Sequence, residues 1–188
     1  LYVADRDGGT SQSDPSVSVV RWFDLETGAP GGEIRVEESA GFNDLTVAED
    51  GTIYATDTGA NRVYEIRPDG TTRVLLEGAP LALPNGIALD NDGNLVVVNI
   101  GSADVLTFTR TGTLVRTEQA VQPGNDGIEI MPDGTKYVSS VQMGGVSRIR
   151  PGQPGRGRHQ RPAVRRPGRV PGLRRPDRGG AGSASPRA

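Results

Sequence analysis

The sequence predicts an all-β protein, a partial β-propeller of about 3.5 four-stranded blades followed by a disordered basic tail. Three observations lead to this prediction. Similar segments recur at spacings of 42 and 41 residues through most of the chain. Each recurring unit divides into short strands separated by turns. Residues 151–188 show none of this pattern and are therefore set apart from the propeller.

The repeat becomes visible when three segments are aligned with one another. They are residues 42–57, 84–99 and 125–140. In this alignment Asn43, Asn85 and Asp126 occupy one position, and a short apolar run follows each of them. A unit of about 40 residues with four strands is the size of one propeller blade. A β-sandwich also has short, evenly spaced strands, but it gives no reason for a phrase that repeats at a fixed period.

Turn residues separate the strands within a unit. In the first unit Asp50-Gly51 and Asp69-Gly70 predict tight turns, because glycine accepts the positive φ that such turns need. Residues 62–66 alternate between polar and apolar side chains, which is typical of a half-buried strand. We therefore predict one propeller domain over residues 1–150. Its blades are residues 42–80, 84–118 and 125–150, with a partial blade at residues 1–36.

The tail, residues 151–188, has the composition of a disordered segment. It contains ten Arg, seven Pro and a single acidic residue, Asp177. Proline at this density opposes strands and helices, and the large apolar side chains are too few for a core. Arginine, proline, glycine and alanine are also what GC-rich codons encode in any frame, which favours a reading frame shifted after about Arg150. A basic arm for nucleic acid or anionic surfaces and a solvated tail without function are the alternatives.

Charge and composition exclude several classes of protein. The tail has a formal charge of +9 within a chain of −2, so residues 1–150 carry −11, which argues against nucleic acid as a partner. The chain has no Cys, and its one His, His159, lies in the tail. Disulfides, a Ser-His-Asp triad in the body and a His-rich zinc site are therefore excluded. No apolar run reaches about 18 residues, so no membrane-spanning helix is expected. Leu1 opens a strand-like segment with no signal pattern, and we expect the chain to begin inside a longer protein.

Asn43, Asn85 and Asp126 form the strongest candidate site. Each stands just before the predicted first strand of its blade, the strand nearest the propeller axis. Because blades are related by rotation, equivalent positions should converge at the mouth of the central channel. Amide and carboxylate oxygens suit hard cations such as Ca²⁺ or Mg²⁺, so the three residues predict a divalent cation site. Asn and Asp also begin turns, and turn formation is the structural alternative.

The same segments resemble the gluconolactonase, senescence-marker-protein-30 and diisopropyl-fluorophosphatase-like propellers. The resemblance is carried by Phe42-Asn43-Asp44, Pro84-Asn85-Gly86-Ile87 and Asn125-Asp126-Gly127-Ile128, which follow the order of that family's ligand-bearing blades. The resemblance implies a six-bladed propeller with one divalent metal in the channel, held by a Glu, one or two Asn and an Asp. It also implies hydrolysis of lactones or related esters.

Carried over by position, the resemblance implies that Asn85 and Asp126 are metal ligands and that Asn43 is a ligand or a substrate contact. Asp126 would also be the base or the nucleophile. The implied cofactor is one divalent cation, Ca²⁺ in the first place, with Mg²⁺, Mn²⁺ or Zn²⁺ as alternatives. The family's Glu ligand would lie upstream of Leu1, and Gly41 stands where some members have a substrate-binding Arg. We therefore expect an impaired site in this chain.

The leading hypothesis is a metal-dependent hydrolase of lactones or carboxylic esters, with a small-molecule substrate and neither nucleic acid nor a membrane as partner. A non-catalytic propeller that binds a protein or peptide is the alternative, because residues 57–63 read like an NHL-type repeat. A lyase of the streptogramin-inactivating type is a third hypothesis. The order Asn-Asn-Asp favours the hydrolase, since a pure scaffold needs no polar ligand at those places and the fold alone does not decide.

Overall fold

The computed structural model describes residues 1–6, 18–36 and 41–153, and within these ranges the protein consists of strands and turns without a helix. The strands form four antiparallel sheets, which we number as blades in chain order. The first blade contains β1 (Tyr2–Arg6), β2 (Ser18–Phe23) and β3 (Pro30–Arg35). The second contains β4 (Phe42–Val47), β5 (Ile53–Asp57), β6 (Arg62–Ile66) and β7 (Thr72–Glu77). The third contains β8 (Pro84–Leu89), β9 (Leu95–Asn99), β10 (Asp104–Phe108) and β11 (Leu114–Gln119). The fourth contains β12 (Asn125–Ile130), β13 (Lys136–Ser140) and β14 (Gly145–Ile149).

Within every blade, strands that follow one another along the chain are hydrogen-bonded neighbours. The Asp-Gly turns predicted from sequence connect them. Gly51 and Gly93, which close the β4–β5 and β8–β9 turns, have φ values of 82° and 76°. A side chain would be strained there, because only glycine adopts a positive φ without cost. Local sequence therefore determines where each inner hairpin turns.

The blades stack face to face, and an apolar layer fills each joint between them. Strand β9 shows how one strand serves two joints, since its side chains point alternately to opposite faces. Leu95 and Val97 pack toward the second blade, whereas Val96 and Val98 pack toward the fourth. All four are fully buried. Burial on both faces is what a blade inside a propeller requires, and the 14 described strands confirm the predicted fold class of an all-β partial propeller.

The first blade holds a different part of the repeat from the fourth. Strand β1 contacts β4 just as β5 contacts β8 and β9 contacts β12. It therefore corresponds to the second strand of a blade, and β2 and β3 correspond to the third and fourth. In the fourth blade, β12 to β14 correspond to the first three strands. The strands β4, β8 and β12 are the inner strands, and β8 lies between the other two and contacts both.

The sequence predicts disorder and a shifted reading frame for the tail. From residue 154 onward the tail lies outside the described part of the chain. The described residues also contain no helix of the length and apolarity that a membrane span requires.

Candidate functional site

The three candidate residues lie on three equivalent β-bulges. In β4 the register shifts between Phe42 and Leu45, and the same shift occurs at the same place in β8 and β12. Two residues of each inner strand then face one residue of the neighbouring strand. Asn43, Asn85 and Asp126 are the first residue of each such pair. Bulges re-aim side chains and interrupt the ladder of backbone hydrogen bonds, and they are common beside functional sites.

This placement corrects one detail of the sequence analysis. The three residues were expected just before the inner strands, but each strand begins one residue earlier, at Phe42, Pro84 and Asn125. Pairing of Phe42 with Asp57, and of its equivalents, extends the strand beyond the bulge. Turn formation therefore does not explain why Asn and Asp occur at this position.

Asn43 is the most exposed of the three side chains. Its Nδ2 donates a hydrogen bond of 3.1 Å to Oγ1 of Thr58, and that hydroxyl donates one of 2.7 Å to the carbonyl oxygen of Pro84. This chain of bonds fixes the plane of the Asn43 amide and ties it to the start of the inner strand in the next blade.

Asn85 is only 5% exposed. Its backbone carbonyl oxygen accepts a hydrogen bond of 2.5 Å from Oγ1 of Thr56, which belongs to the second blade. The backbone that carries the Asn85 side chain is therefore held from the neighbouring blade.

Asp126 is half-buried on β12. A Cβ atom added to Gly86 would lie 2.5 Å from the Asp126 carbonyl oxygen and 3.1 Å from the Cα of Gly127. The two bulges therefore touch through their backbones. The structure brings the segments around the three candidate residues next to one another, from β4 through β8 to β12.

The structure adds a residue that the sequence analysis did not select, Asp44. Its half-buried carboxyl accepts hydrogen bonds from the backbone N–H of Leu45 at 2.9 Å and of Ile87 at 3.0 Å. Burial raises the pKa of Asp44 above its ordinary value, and the negative charge of Asp126 raises it further, while the two backbone hydrogen bonds act in the opposite direction. A signal was present in the alignment, because the second bulge residue is Asp44 in one blade and Gly86 and Gly127 in the others.

The donor atoms at these bulges fit a hard cation. Within the described ranges no three His, Cys, Asp or Glu side chains group together as a metal site. A site here would therefore depend on the amide oxygens of Asn43 and Asn85 together with the carboxylate of Asp126. Oxygen donors of this kind suit Ca²⁺ and Mg²⁺ and are poorly suited to soft metals.

The stacked antiparallel sheets of three and four strands define a β-propeller, and the repeated polar bulges on its inner strands mark the candidate site. The sequence matches the SMP-30/gluconolactonase/LRE-like region over residues 16–169. The chain belongs to this family, as the resemblance in the sequence indicated. A comparison with curated protein sequences found no match.

Solved structures share the fold. A gluconolactonase of Xanthomonas campestris is 26% identical, over 72% of this chain and 55% of its own, with a TM-score of 0.55. A virginiamycin B lyase of Staphylococcus aureus is 18% identical, over 80% of this chain and 57% of its own, with a TM-score of 0.60. A chain of a nidogen–laminin complex is 22% identical, over 76% of this chain and 56% of its own, with a TM-score of 0.64. The matched region is a little over half of the length of each of these structures.

Proposed function

We propose that this chain belongs to a metal-dependent hydrolase that opens lactones or related carboxylic esters. The observation that carries the proposal is the threefold repetition of one arrangement, in which Asn43, Asn85 and Asp126 each occupy the first position of an inner-strand bulge. A scaffold that only stacks blades needs no oxygen-bearing side chain at this place. Membership of the SMP-30/gluconolactonase/LRE-like family and the likeness to a gluconolactonase support the same activity.

The three residues would hold one divalent cation, with Ca²⁺ preferred and Mg²⁺, Mn²⁺ or Zn²⁺ as alternatives. When bound, such a cation polarises a substrate carbonyl and makes water more acidic. Asp126 would accept a proton at its carboxylate or orient the attacking water. Asn43, whose amide is exposed and fixed by Thr58, would contact the small-molecule substrate.

The affinity for the cation is expected to be low. Asp126 is the one carboxylate among the three proposed ligands, and Ca²⁺ affinity rises with the charge of the ligand set. Weak binding would make the activity of this chain low, because catalysis depends on exact placement of the reacting groups.

The test compares the protein with Asp126→Asn and with Asp92→Asn. Asp92 is an exposed carboxylate in the β8–β9 turn and serves as the control. The equivalent residue of the β4–β5 turn, Asp50, is unsuitable because its carboxylate is paired with Arg110 at 2.6 Å. Calcium binding is measured by calorimetry, and lactone hydrolysis by pH-stat titration with and without a chelator. We expect Asp126→Asn to lower hydrolysis about 100-fold or more, the contribution typical of a general base. Asp92→Asn should change neither quantity.

Absence of calcium binding even when calcium is raised through the range of weak protein sites, about 10⁻⁴ to 10⁻³ M, would contradict the proposal. Hydrolysis that is insensitive both to the chelator and to Asp126→Asn would contradict it as well. A non-catalytic propeller that binds a protein or peptide partner would then be the better account.

A further inference from the structure

The bulge that carries Asn85 is held from two sides by side chains of the second blade. On one side, Thr56 Oγ1 donates to the carbonyl oxygen of Asn85 at 2.5 Å. On the other side, Asp44 Oδ2 accepts the backbone N–H of Ile87 at 3.0 Å. Gly86 lies between these two anchored groups. The backbone on both sides of the Gly86 residue is therefore tied to the neighbouring blade.

These two side chains are also connected to each other. Thr56 is fully buried, and its Oγ1 accepts the backbone N–H of Asp44 at 3.1 Å. A hydroxyl has one proton to donate, and the short bond to Asn85 uses it. The other carboxylate oxygen of Asp44 accepts the N–H of Leu45 at 2.9 Å. Both side chains are thus held by backbone groups and have little freedom to turn away.

The bulge itself explains why this support is needed. The register of β8 and β9 shifts between Pro84 and Ile87, so the backbone between them leaves the regular ladder. A buried carbonyl or N–H without a partner costs about 1–3 kcal/mol, and such groups are rarely left unpaired. At this register shift, Thr56 supplies a partner for the carbonyl oxygen of Asn85, and Asp44 supplies one for the N–H of Ile87.

The arrangement occurs once among the described blades. At the positions equivalent to Asp44 and Thr56, the third blade has Gly86 and Val98, which have no side-chain donor or acceptor. In the fourth blade, Ser139 Oγ accepts the N–H of Gly127 at 2.9 Å, within its own sheet. The support from a neighbouring blade is therefore specific to the bulge of Asn85.

We propose that Asp44 and Thr56 are positioning residues, which set the place of the Asn85 side chain by clamping its bulge to the second blade. This inference rests on the proposed cation site, to which Asn85 would contribute its amide oxygen. Groups that orient metal ligands typically change metal affinity 10- to 100-fold when they are removed.

The test replaces Thr56 by Val, which keeps the shape of the side chain and removes the hydroxyl. The matched control is Thr107→Val in β10. Thr107 is equally buried, and its hydroxyl has no hydrogen-bond partner within the described part of the chain. Thr56→Ser serves as the conservative variant, because it retains the hydroxyl.

Two measurements are made on the whole chain. Amide hydrogen exchange at Gly86 and Ile87, followed by NMR, reports on the clamp without any metal. Calcium titration, followed by NMR or calorimetry, reports on Asn85 as a ligand. We expect Thr56→Val to speed exchange at these two amides and to weaken calcium binding about tenfold or more. Thr56→Ser should largely restore both, and Thr107→Val should change neither.

If Thr56→Val does not fold, Asp44→Asn tests the other half of the clamp, since one amide oxygen cannot accept both N–H groups. Its expected signature is faster exchange at Ile87. Unchanged exchange at Gly86 and Ile87 in the variants would overturn the clamp itself. Faster exchange with unchanged calcium affinity would overturn its positioning role. A chain that binds no calcium at all would contradict the proposed function, while the exchange data would still decide whether the clamp exists.

Discussion

The joint between the second and third blades differs from the joint between the third and fourth blades, although both use the same positions of the repeat. At the first joint, Asp44 and Thr56 reach from one blade to the backbone of the next. At the second joint the equivalent residues are Gly86 and Val98. Near the axis, polar side chains at these two positions connect the second blade to the third. At the joint between the third and fourth blades, the equivalent positions of the third blade have no polar side chain.

The second joint is held near the axis by close backbone contact. A Cβ on Gly86 would lie 2.5 Å from the carbonyl oxygen of Asp126, which is closer than real Cβ contacts. The absence of a side chain thus lets the two inner strands approach each other. The same position of the repeat therefore carries a hydrogen-bonding side chain, Asp44, in the second blade. In the third blade it is a glycine, Gly86, and the backbone of β12 lies where a side chain would otherwise be.

Away from the axis the two joints also differ in their ion pairs. Arg110 of the third blade reaches Asp50 at 2.6 Å and the hydroxyl of Tyr54 at 2.8 Å, and both charged side chains of this pair are well exposed. Between the third and fourth blades, Lys136 Nζ lies 2.8 Å from Glu118 Oε2, and these side chains are only 6% and 11% exposed. The first joint therefore combines a buried polar clamp with an exposed ion pair, and the second combines backbone contact with a buried ion pair. A repeat can thus conserve its geometry while its joints use different interactions.

Among the variants that test the two joints, Lys136→Met should lower the free energy of unfolding the most. It leaves Glu118 buried without its cation, and removing one partner of a buried ion pair typically costs about 3–5 kcal/mol. Asp50→Asn is the control at the other joint and should cost much less, because water solvates the exposed guanidinium of Arg110, which also keeps its hydrogen bond to Tyr54. Denaturant unfolding measures both. Equal losses in the two variants would show that burial does not distinguish the two ion pairs.

Gly86→Ala should have the next largest effect. The new methyl group would meet the backbone of β12, which cannot yield as a flexible side chain can, and overpacking of this kind costs about 1–3 kcal/mol. Gly59→Ala is the matched control, because its nearest neighbour, Asp57 Oδ1, is at an ordinary contact distance of 3.7 Å. Unfolding free energies of the two variants give the comparison. A neutral Gly86→Ala would mean that the backbone contact does not hold the second joint.

Asp50→Asn should have the smallest effect, a small loss of stability near neutral pH that shrinks as the pH falls toward 2. Hydrogen bonding from Arg110 is the main cause that lowers the pKa of Asp50 to about 2, from an ordinary value of 3.8. Since the folded pKa lies below the unfolded one, this carboxylate stabilises the fold above the ordinary value and loses that contribution as the pH falls toward 2. Melting temperatures between pH 5 and about 2 should therefore fall less steeply for Asp50→Asn. An identical slope in both proteins would remove the Arg110–Asp50 pair from the list of interactions that support the first joint.

Much of the fold could be predicted from the chain alone, because its signals are local. Alternation over residues 62–66 predicted the strand that the structure shows as β6, with the same bounds. The expected half-burial was wrong, because packing between two neighbouring blades buries both faces of this strand. The Asp-Gly pairs predicted turns, and Gly51 and Gly70 indeed have positive φ. The spacing of 42 and 41 residues predicted that Asn43, Asn85 and Asp126 are equivalent, and they occupy the same place on three bulges.

The role of Asp44 and Thr56 could not be predicted in this way. Their partners, Ile87 and Asn85, lie 43 and 29 residues away in sequence, and nothing local shows which side chain crosses a joint. The bulges were also missed, since a register shift depends on how two strands pair and is not specified by either strand alone. The metal site, its cation and the lactone substrate remain predictions that the experiments above address.

By itself the sequence determined the all-β class, the repeat and the equivalence of the candidate residues, because apolar alternation and glycine turns act within a few residues of the chain. Only the tertiary structure decided that Asp44 is half-buried beside Asp126, that Thr56 donates to Asn85, and that Gly86 admits the backbone of β12. The physical reason is that a hydrogen bond or a steric contact between blades exists only once two faces are packed together.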